Sequence, residues 1–212
     1  MNIHRFTVGP FAENTYLLTE GDEALLVDPG FSDQEEYEQV KSKIQSEGVE
    51  LKAVVLTHAH VDHVLGLSRV LQDFELPVFL SDEDRYLWKN FPSQAKMFGI
   101  DASSLSIEPE SLKAQAGWTM GNFTFDVLFT PGHSPDHVSL FQEKEQVLIA
   151  GDVLFKEGIG RTDLYKGSFE MLETSILEHL YTLPDDTVVY PGHGPETTIG
   201  EEKMSNPFVK KL

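Results

Sequence analysis

The stretch Thr57-His58-Ala59-His60-Val61-Asp62-His63 holds three of the eight histidines of this 212-residue chain, with a carboxylate among them. Neutral imidazole and carboxylate are good ligands for zinc and for other borderline divalent metals. His58 and His60 stand at i and i+2, so an extended segment aims both the same way. Asp62 and His63 follow where the chain turns into a helix, and they can face a neighbouring point. This spacing suits two adjacent metals rather than one. Without metal, such crowding would leave costly unpaired polar atoms. A lone histidine is usually structural or exposed, whereas His-x-His-x-Asp-His behind a buried strand meets far more of the context that a metal motif needs.

Three later positions share that setting. His133 follows "VLFTPG", Asp152 follows "VLIAG" and His193 follows "VVYPG", just as His58 follows "AVVLT". Each is a potential ligand delivered where an apolar strand ends. Open α/β sheets bind ligands at the carboxyl ends of their strands, so one site assembled from distant segments is expected. Thr57, Ser134 and Asp136 can orient such ligands or simply form turns. His137 lies near the site in sequence, with support of a ligand and packing as its two readings. His4, in a strand, and His179, in a helix, read as structural or exposed.

The elements that must place these residues alternate. "IHRFTV" (3–8), "NTYLLT" (14–19) and "ALLVD" (24–28) read as strands. "SDQEEYEQVKSKIQSEG" reads as a helix with a Ser32/Glu35 capping box, an apolar face of Tyr37, Val40 and Ile44, and a stop at Gly48. "AVVLT" (53–57) has the continuous apolar character of a strand buried on both faces. A helix over 64–74 and a strand over 77–81 follow. Residues 82–117 read as helical pieces and loops, whose aromatics Tyr86, Trp88, Phe91 and Phe98 suit core packing better than a lid. Gly121-Asn122 marks a hairpin within 118–130. Strands over 138–142, 146–151 and 187–192 and a helix near 168–181 complete the pattern. It predicts one α/β domain over residues 1–212, with two sheets packed together and helices outside.

Composition narrows the function. Sixteen basic against thirty-five acidic residues give a net charge of −19, which argues against binding polyanions such as nucleic acid. The chain lacks cysteine, so no thiolate can bind a metal or attack a substrate. No run approaches the roughly 20 apolar residues of a membrane span. The first residues show no secretory leader, and a cytoplasmic setting is expected.

"FAENTYLL", "LVDPG", "THAHVDH", "TPGHSPDH", "AGDVLF" and "PGHGP", in this order, resemble the metallo-β-lactamase superfamily. The resemblance implies an αββα four-layer sandwich, two mixed β-sheets flanked by helices, with the metals at one edge. It also implies one metal on His58, His60 and His133, a second on Asp62, His63 and His193, and Asp152 bridging them. Zinc is the first expectation, with iron or manganese as alternatives. Zinc β-lactamases generally carry a cysteine at the second metal, and its absence here disfavours antibiotic hydrolysis. "GDVLFKEGIGRTD" (151–163) and "NPFVKK" (206–211) resemble the glyoxalase II group, in its short bacterial form without the C-terminal helical domain. Arg161 falls where longer members carry a basic substrate-binding residue. The implied activity is hydrolysis of a small acyl thioester such as S-lactoylglutathione. A hydroxide shared by the metals would attack the carbonyl, and Asp62 would orient it and accept its proton. The alternatives are a mononuclear-iron persulfide dioxygenase using His58, His133 and Asp152, a lactone or phosphodiester hydrolase, and a non-enzymatic metal-binding or sensor protein, which the glycines around the site make less favoured.

Overall fold

The chain opens on β1 (Asn2–Val8), β2 (Glu13–Glu20) and β3 (Glu23–Val27), an antiparallel meander. The structure is a computed structural model and describes residues 1–210; Lys211, the last residue of "NPFVKK", lies outside them. Nearly every residue of β2 is buried, as its apolar run requires. Helix α1 (Gln34–Glu47) then buries Tyr37, Val40 and Ile44 and stops at Gly48, whose φ of 66° is the left-handed turn that glycine adopts without penalty. Its capping differs from expectation by one residue. Asp33, not Ser32, accepts the Glu36 N–H at 2.9 Å, and the Glu36 carboxylate reaches back to the Ser32 N–H at 2.8 Å.

β4 (Glu50–Val55) lies parallel to β3 and leads into α2 (Val61–Val64) and α3 (Leu67–Asp73). The sequence read α3 as part of one helix over 64–74. The break between α2 and α3 comes at Gly66, whose N–H is drawn to the Pro29 carbonyl at 2.8 Å. β5 (Val78–Leu80), α4 (Tyr86–Lys89), α5 (Phe91–Met97) and β6 (Glu110–Ser111) complete a six-stranded mixed sheet in the order β1-β2-β3-β4-β5-β6. The aromatics of this stretch divide. Trp88 and Phe91 are core, whereas Tyr86 and Phe98 are exposed, and Phe98 meets Phe11 edge to face at 4.9 Å.

A second six-stranded mixed sheet is built from β7 (Gln115–Met120), β8 (Phe123–Phe129), β9 (Val138–Gln142) and β10 (Val147–Gly151). A small hairpin follows, β11 (Leu154–Phe155) and β12 (Gly158–Ile159). Helix α6 (Phe169–Glu178), β13 (Val188–Pro191), β14 (Thr197–Thr198) and α7 (Ile199–Ser205) end the described chain. The strand order is β14-β13-β10-β9-β8-β7, with β10 and β13 parallel. Leu148, Ala150, Leu172, Ile176, Leu180, Val189 and Ile199 form the core of this part. β11, β12, β14 and α7 lack the long apolar runs that made the other elements readable.

The chain divides into two compact units: Met1–Leu112 with Thr119–Phe123, and Lys113–Trp118 with the chain from Thr124 onward. The tip of the β7–β8 hairpin counts with the first unit because Asn122 donates its N–H to Glu23 and its side-chain amide to the Glu20 carbonyl.

Candidate metal centre

In the first unit β4 delivers Thr57 and His58, and His60 closes the extended segment as the residue before α2, with φ −67° and ψ 151°. Asp62 and His63 then sit within α2, as the spacing predicted. His58, His60 and His63 are buried and Asp62 is half-buried.

The protons of two of these rings can be placed by counting donors. Asp28, at the end of β3, accepts the Thr57 N–H at 2.7 Å and the Thr57 hydroxyl at 2.6 Å. The Thr57 oxygen, its own proton committed, therefore accepts from His58 Nδ1 at 3.0 Å. The second Asp28 oxygen also accepts from His63 Nδ1 at 3.0 Å. Both rings thus carry a proton on Nδ1, which leaves Nε2 as the nitrogen that a neutral ring offers to a metal. His58 Nε2 lies 3.1 Å from His60 Nδ1. Asp28 itself holds a left-handed backbone (φ 48°), kept by its N–H to the Val55 carbonyl at 3.1 Å and by the Thr15 hydroxyl on its own carbonyl at 2.8 Å. Strain of this kind at a non-glycine residue persists only where its surroundings over-determine it.

Beneath this layer lies Glu13, fully buried. Burial holds its carboxyl well above the usual carboxylate range, and the nearby His63 offsets this only in part. The hydrogen bonds agree. Thr15 Oγ1 lies 2.8 Å from both Glu13 Oε2 and the Asp28 carbonyl while accepting the Gly30 N–H. It has one proton for two acceptors, and a protonated Glu13 completes the set. Gly30 is required here, because a Cβ would fall 2.1 Å from Glu13 Oε2 and 2.3 Å from the Asp62 carbonyl.

In the second unit, His133 follows β8, Asp152 follows β10 and His193 follows β13. One Asp152 oxygen lies between the two rings, 3.3 Å from His133 Nε2 and 3.5 Å from His193 Nε2. His133 Nδ1 donates to the Arg161 carbonyl at 2.8 Å, so Nε2 is the nitrogen that the neutral ring offers to a metal. His137 is a support. Its Nε2 accepts the Asp152 N–H at 3.0 Å, and its Nδ1 donates to Thr130 Oγ1 at 3.0 Å. Thr130 passes the chain to Ser139, which bonds the Ala150 carbonyl on β10. Ser134 donates to Asp136 within the local turn.

Arg161 departs from the pattern. Its carbonyl belongs to the site, but its guanidinium is exposed and donates twice to Asp163, at 2.6 and 2.7 Å, which lowers the Asp163 carboxyl to about 2. His4 pairs with Glu47 at 3.7 Å, and His179 caps α6 at the surface. Asp28 and Glu13 escaped the sequence reading. The signal for Asp28 was present, since "ALLVD" ends an apolar strand on Asp as "VLIAG-Asp152" does. Glu13 gave none beyond a charged residue opening a buried strand.

The candidate ligands of both units are imidazoles and carboxylates, with His58, His63 and His133 each backed by an oxygen acceptor, a set that fits borderline divalent metals and needs no thiolate. The family model described as metallo-beta-lactamase superfamily matches residues 8–193. The chain belongs to that superfamily. Among superfamily relatives, the probable metallo-hydrolase YqgX of Bacillus subtilis is 38% identical over 99% of this chain and 98% of its own. The hydroxyacylglutathione hydrolase GloC of Haemophilus influenzae is 37% identical over 99% and 98%. The crystal structure of BLEG-1 B3 metallo-beta-lactamase matches with TM-score 0.88 and 37% identity over 99% of this chain and all of that one. TTHA1623 in a di-iron-bound form matches with TM-score 0.87 and 35% identity over 97% and 100%. ETHE1 from Myxococcus xanthus matches with TM-score 0.79 and 27% identity over 98% and 84%. The two mixed sheets flanked by helices are therefore the metallo-β-lactamase fold, and superfamily membership makes this a hydrolase-type metalloenzyme with a His/Asp metal-binding cluster.

Proposed function

We propose that this protein hydrolyses a small acyl thioester such as S-lactoylglutathione, with both units acting as one cytoplasmic catalytic domain. The observation that carries the reading is the full-length likeness to GloC, a hydroxyacylglutathione hydrolase, in a chain holding every donor that chemistry needs. One metal would be held by His58, His60 and His133, the other by Asp62, His63 and His193, with Asp152 shared. Zinc is the first expectation; the di-iron-bound relative keeps iron beside it.

When bound, the metals supply hydroxide at neutral pH and draw charge from the carbonyl. The protein's own work is placement. Asp28 and Thr57 hold the Nδ1 protons of His63 and His58, and the Arg161 carbonyl holds that of His133, so all three rings turn Nε2 toward a metal. Asp62 orients the attacking water and takes its proton on its carboxylate. The Arg161 guanidinium meets a substrate carboxylate by exchanging it for Asp163.

The test is thiol release from a panel of thioesters by metal-loaded protein, with a lactone, a phosphodiester and a β-lactam alongside. The β-lactam is included because of the BLEG-1 likeness. Turnover of thioesters that stops on chelation is expected. Intact thioesters across several thiols would overturn the reading. A second reading, persulfide oxidation at one iron on His58, His133 and Asp152, draws support from the likeness to ETHE1. One iron per chain and oxygen uptake with a persulfide would favour it.

A further inference from the structure

Glu202, on α7, is a carboxylate only 1% exposed, and the donors that reach it are neutral. The Glu157 N–H points at both its oxygens (3.2 and 3.0 Å), the Thr197 hydroxyl donates at 2.6 Å, and the Asn206 amide donates at 2.8 Å. The same Asn206 amide donates to the Gly158 carbonyl at 3.1 Å. Both Glu157 and Gly158 lie in the β11–β12 hairpin. α7 therefore grips that hairpin by a donor and an acceptor at its turn.

A buried carboxylate is a costly way to hold two elements together, since an apolar side chain of similar volume packs without desolvating a charge. What it adds is direction. Beyond the turn the hairpin runs through Gly160, whose N–H reaches the Val153 carbonyl, to Arg161, whose carbonyl takes the His133 Nδ1 proton. Gly160 passes so close that a Cβ would fall 1.9 Å from the Asp152 carbonyl and 3.0 Å from His133 Nδ1. Small shifts of the hairpin would thus be felt directly at the His133 ring.

We infer that Glu202, assisted by Asn206, is a positioning residue for His133: it fixes the 157–161 segment so that the Arg161 carbonyl selects the tautomer presenting Nε2 to a metal. The inference rests on reading His133 as a ligand. Outer partners of this kind typically change metal affinity 10–100-fold, roughly, when removed.

The experiment uses the full chain with cobalt(II) as probe. Affinity is measured by chelator competition, the absorption spectrum is recorded, and ring-nitrogen NMR reads the His133 tautomer in metal-free protein. Glu202→Gln turns an amide donor toward groups that themselves donate. It should weaken cobalt binding about tenfold, alter the spectrum and mix the His133 tautomers. Tyr181→Phe removes a hydroxyl that bonds the Glu202 and Val209 carbonyls without touching the carboxylate. It should lower the melting temperature yet keep affinity and tautomer. If Glu202→Gln does not fold, Thr197→Val, which deletes one donor, is read the same way. Wild-type affinity with an unchanged tautomer in the folded Glu202 or Thr197 variant would overturn the inference, as would an equal loss of affinity in Tyr181→Phe. Wild-type protein that took up no cobalt would strike the metal reading instead, and the metal-free tautomer would still decide the role of Glu202.

Discussion

Asp28 commits its carboxylate to Thr57 and to His63, and the two bonds together decide where the lone pairs of His58 and His63 point. Asp28→Asn keeps the size and tolerates the left-handed backbone but places a donor against Thr57 or His63. Its metal affinity, measured by zinc competition, should fall about 10–100-fold while the fold is retained; unchanged affinity would mean that the tautomers are set elsewhere. Glu13 makes a prediction of the opposite kind. Its folded carboxyl titrates well above its ordinary value near 4.5, so above that pH the unfolded chain has lost a proton that the folded chain keeps. Stability of the metal-free protein therefore declines as pH rises from about 4.5 toward the raised folded value. Glu13→Gln should remove this component, and denaturation midpoints of the metal-free variant should be flatter with pH than those of wild type. Parallel pH profiles would show that Glu13 ionises normally. Glu13 was not legible in sequence, and Asp28 was legible only as an Asp closing an apolar strand, because the role of each depends on partners such as His63, 50 and 35 positions away.

The elements themselves were largely legible where apolar periodicity was strong. β9 and β10 ended where expected and β3, β4 and β13 one or two residues sooner, and the strand ends so placed His58, Asp152 and His193. The helix expected over 64–74 is α3, Leu67–Asp73, set apart from α2 at Gly66, whose N–H bonds back to Pro29. The β11–β12 hairpin and α7 gave no readable pattern, yet they carry the support of His133. The close approach of Gly160 makes this testable at the level of the element. Gly160→Ala must move the hairpin away from Asp152. It should cost about 1–3 kcal/mol of stability by overpacking and weaken metal binding as well, which denaturation and competition titration would read separately. An alanine variant with wild-type values in both would show that the hairpin yields without disturbing the ligands.

Across the whole molecule the net charge is −19, so under the proposed function an anionic thioester would have to approach a strongly acidic protein. Screening weakens that long-range repulsion, with a Debye length near 30 Å at about 0.01 M salt and near 8 Å at about 0.15 M. kcat/KM for an anionic thioester should therefore rise over this range, while that for a neutral analogue stays level; identical salt profiles would show that surface charge does not reach the approach path. No helix of the described residues is long and apolar enough to cross a membrane. The sequence by itself determined the donor types and their delivery at strand ends, because ligand chemistry resides in side-chain identity and buried strands announce themselves as apolar runs. Tertiary structure alone decided which ring nitrogen bears each proton, that Glu13 is buried, and that the Arg161 guanidinium faces Asp163 while its carbonyl serves His133. Those outcomes are set by hydrogen-bond partners and burial that folding brings together, and local spacing carries no record of them.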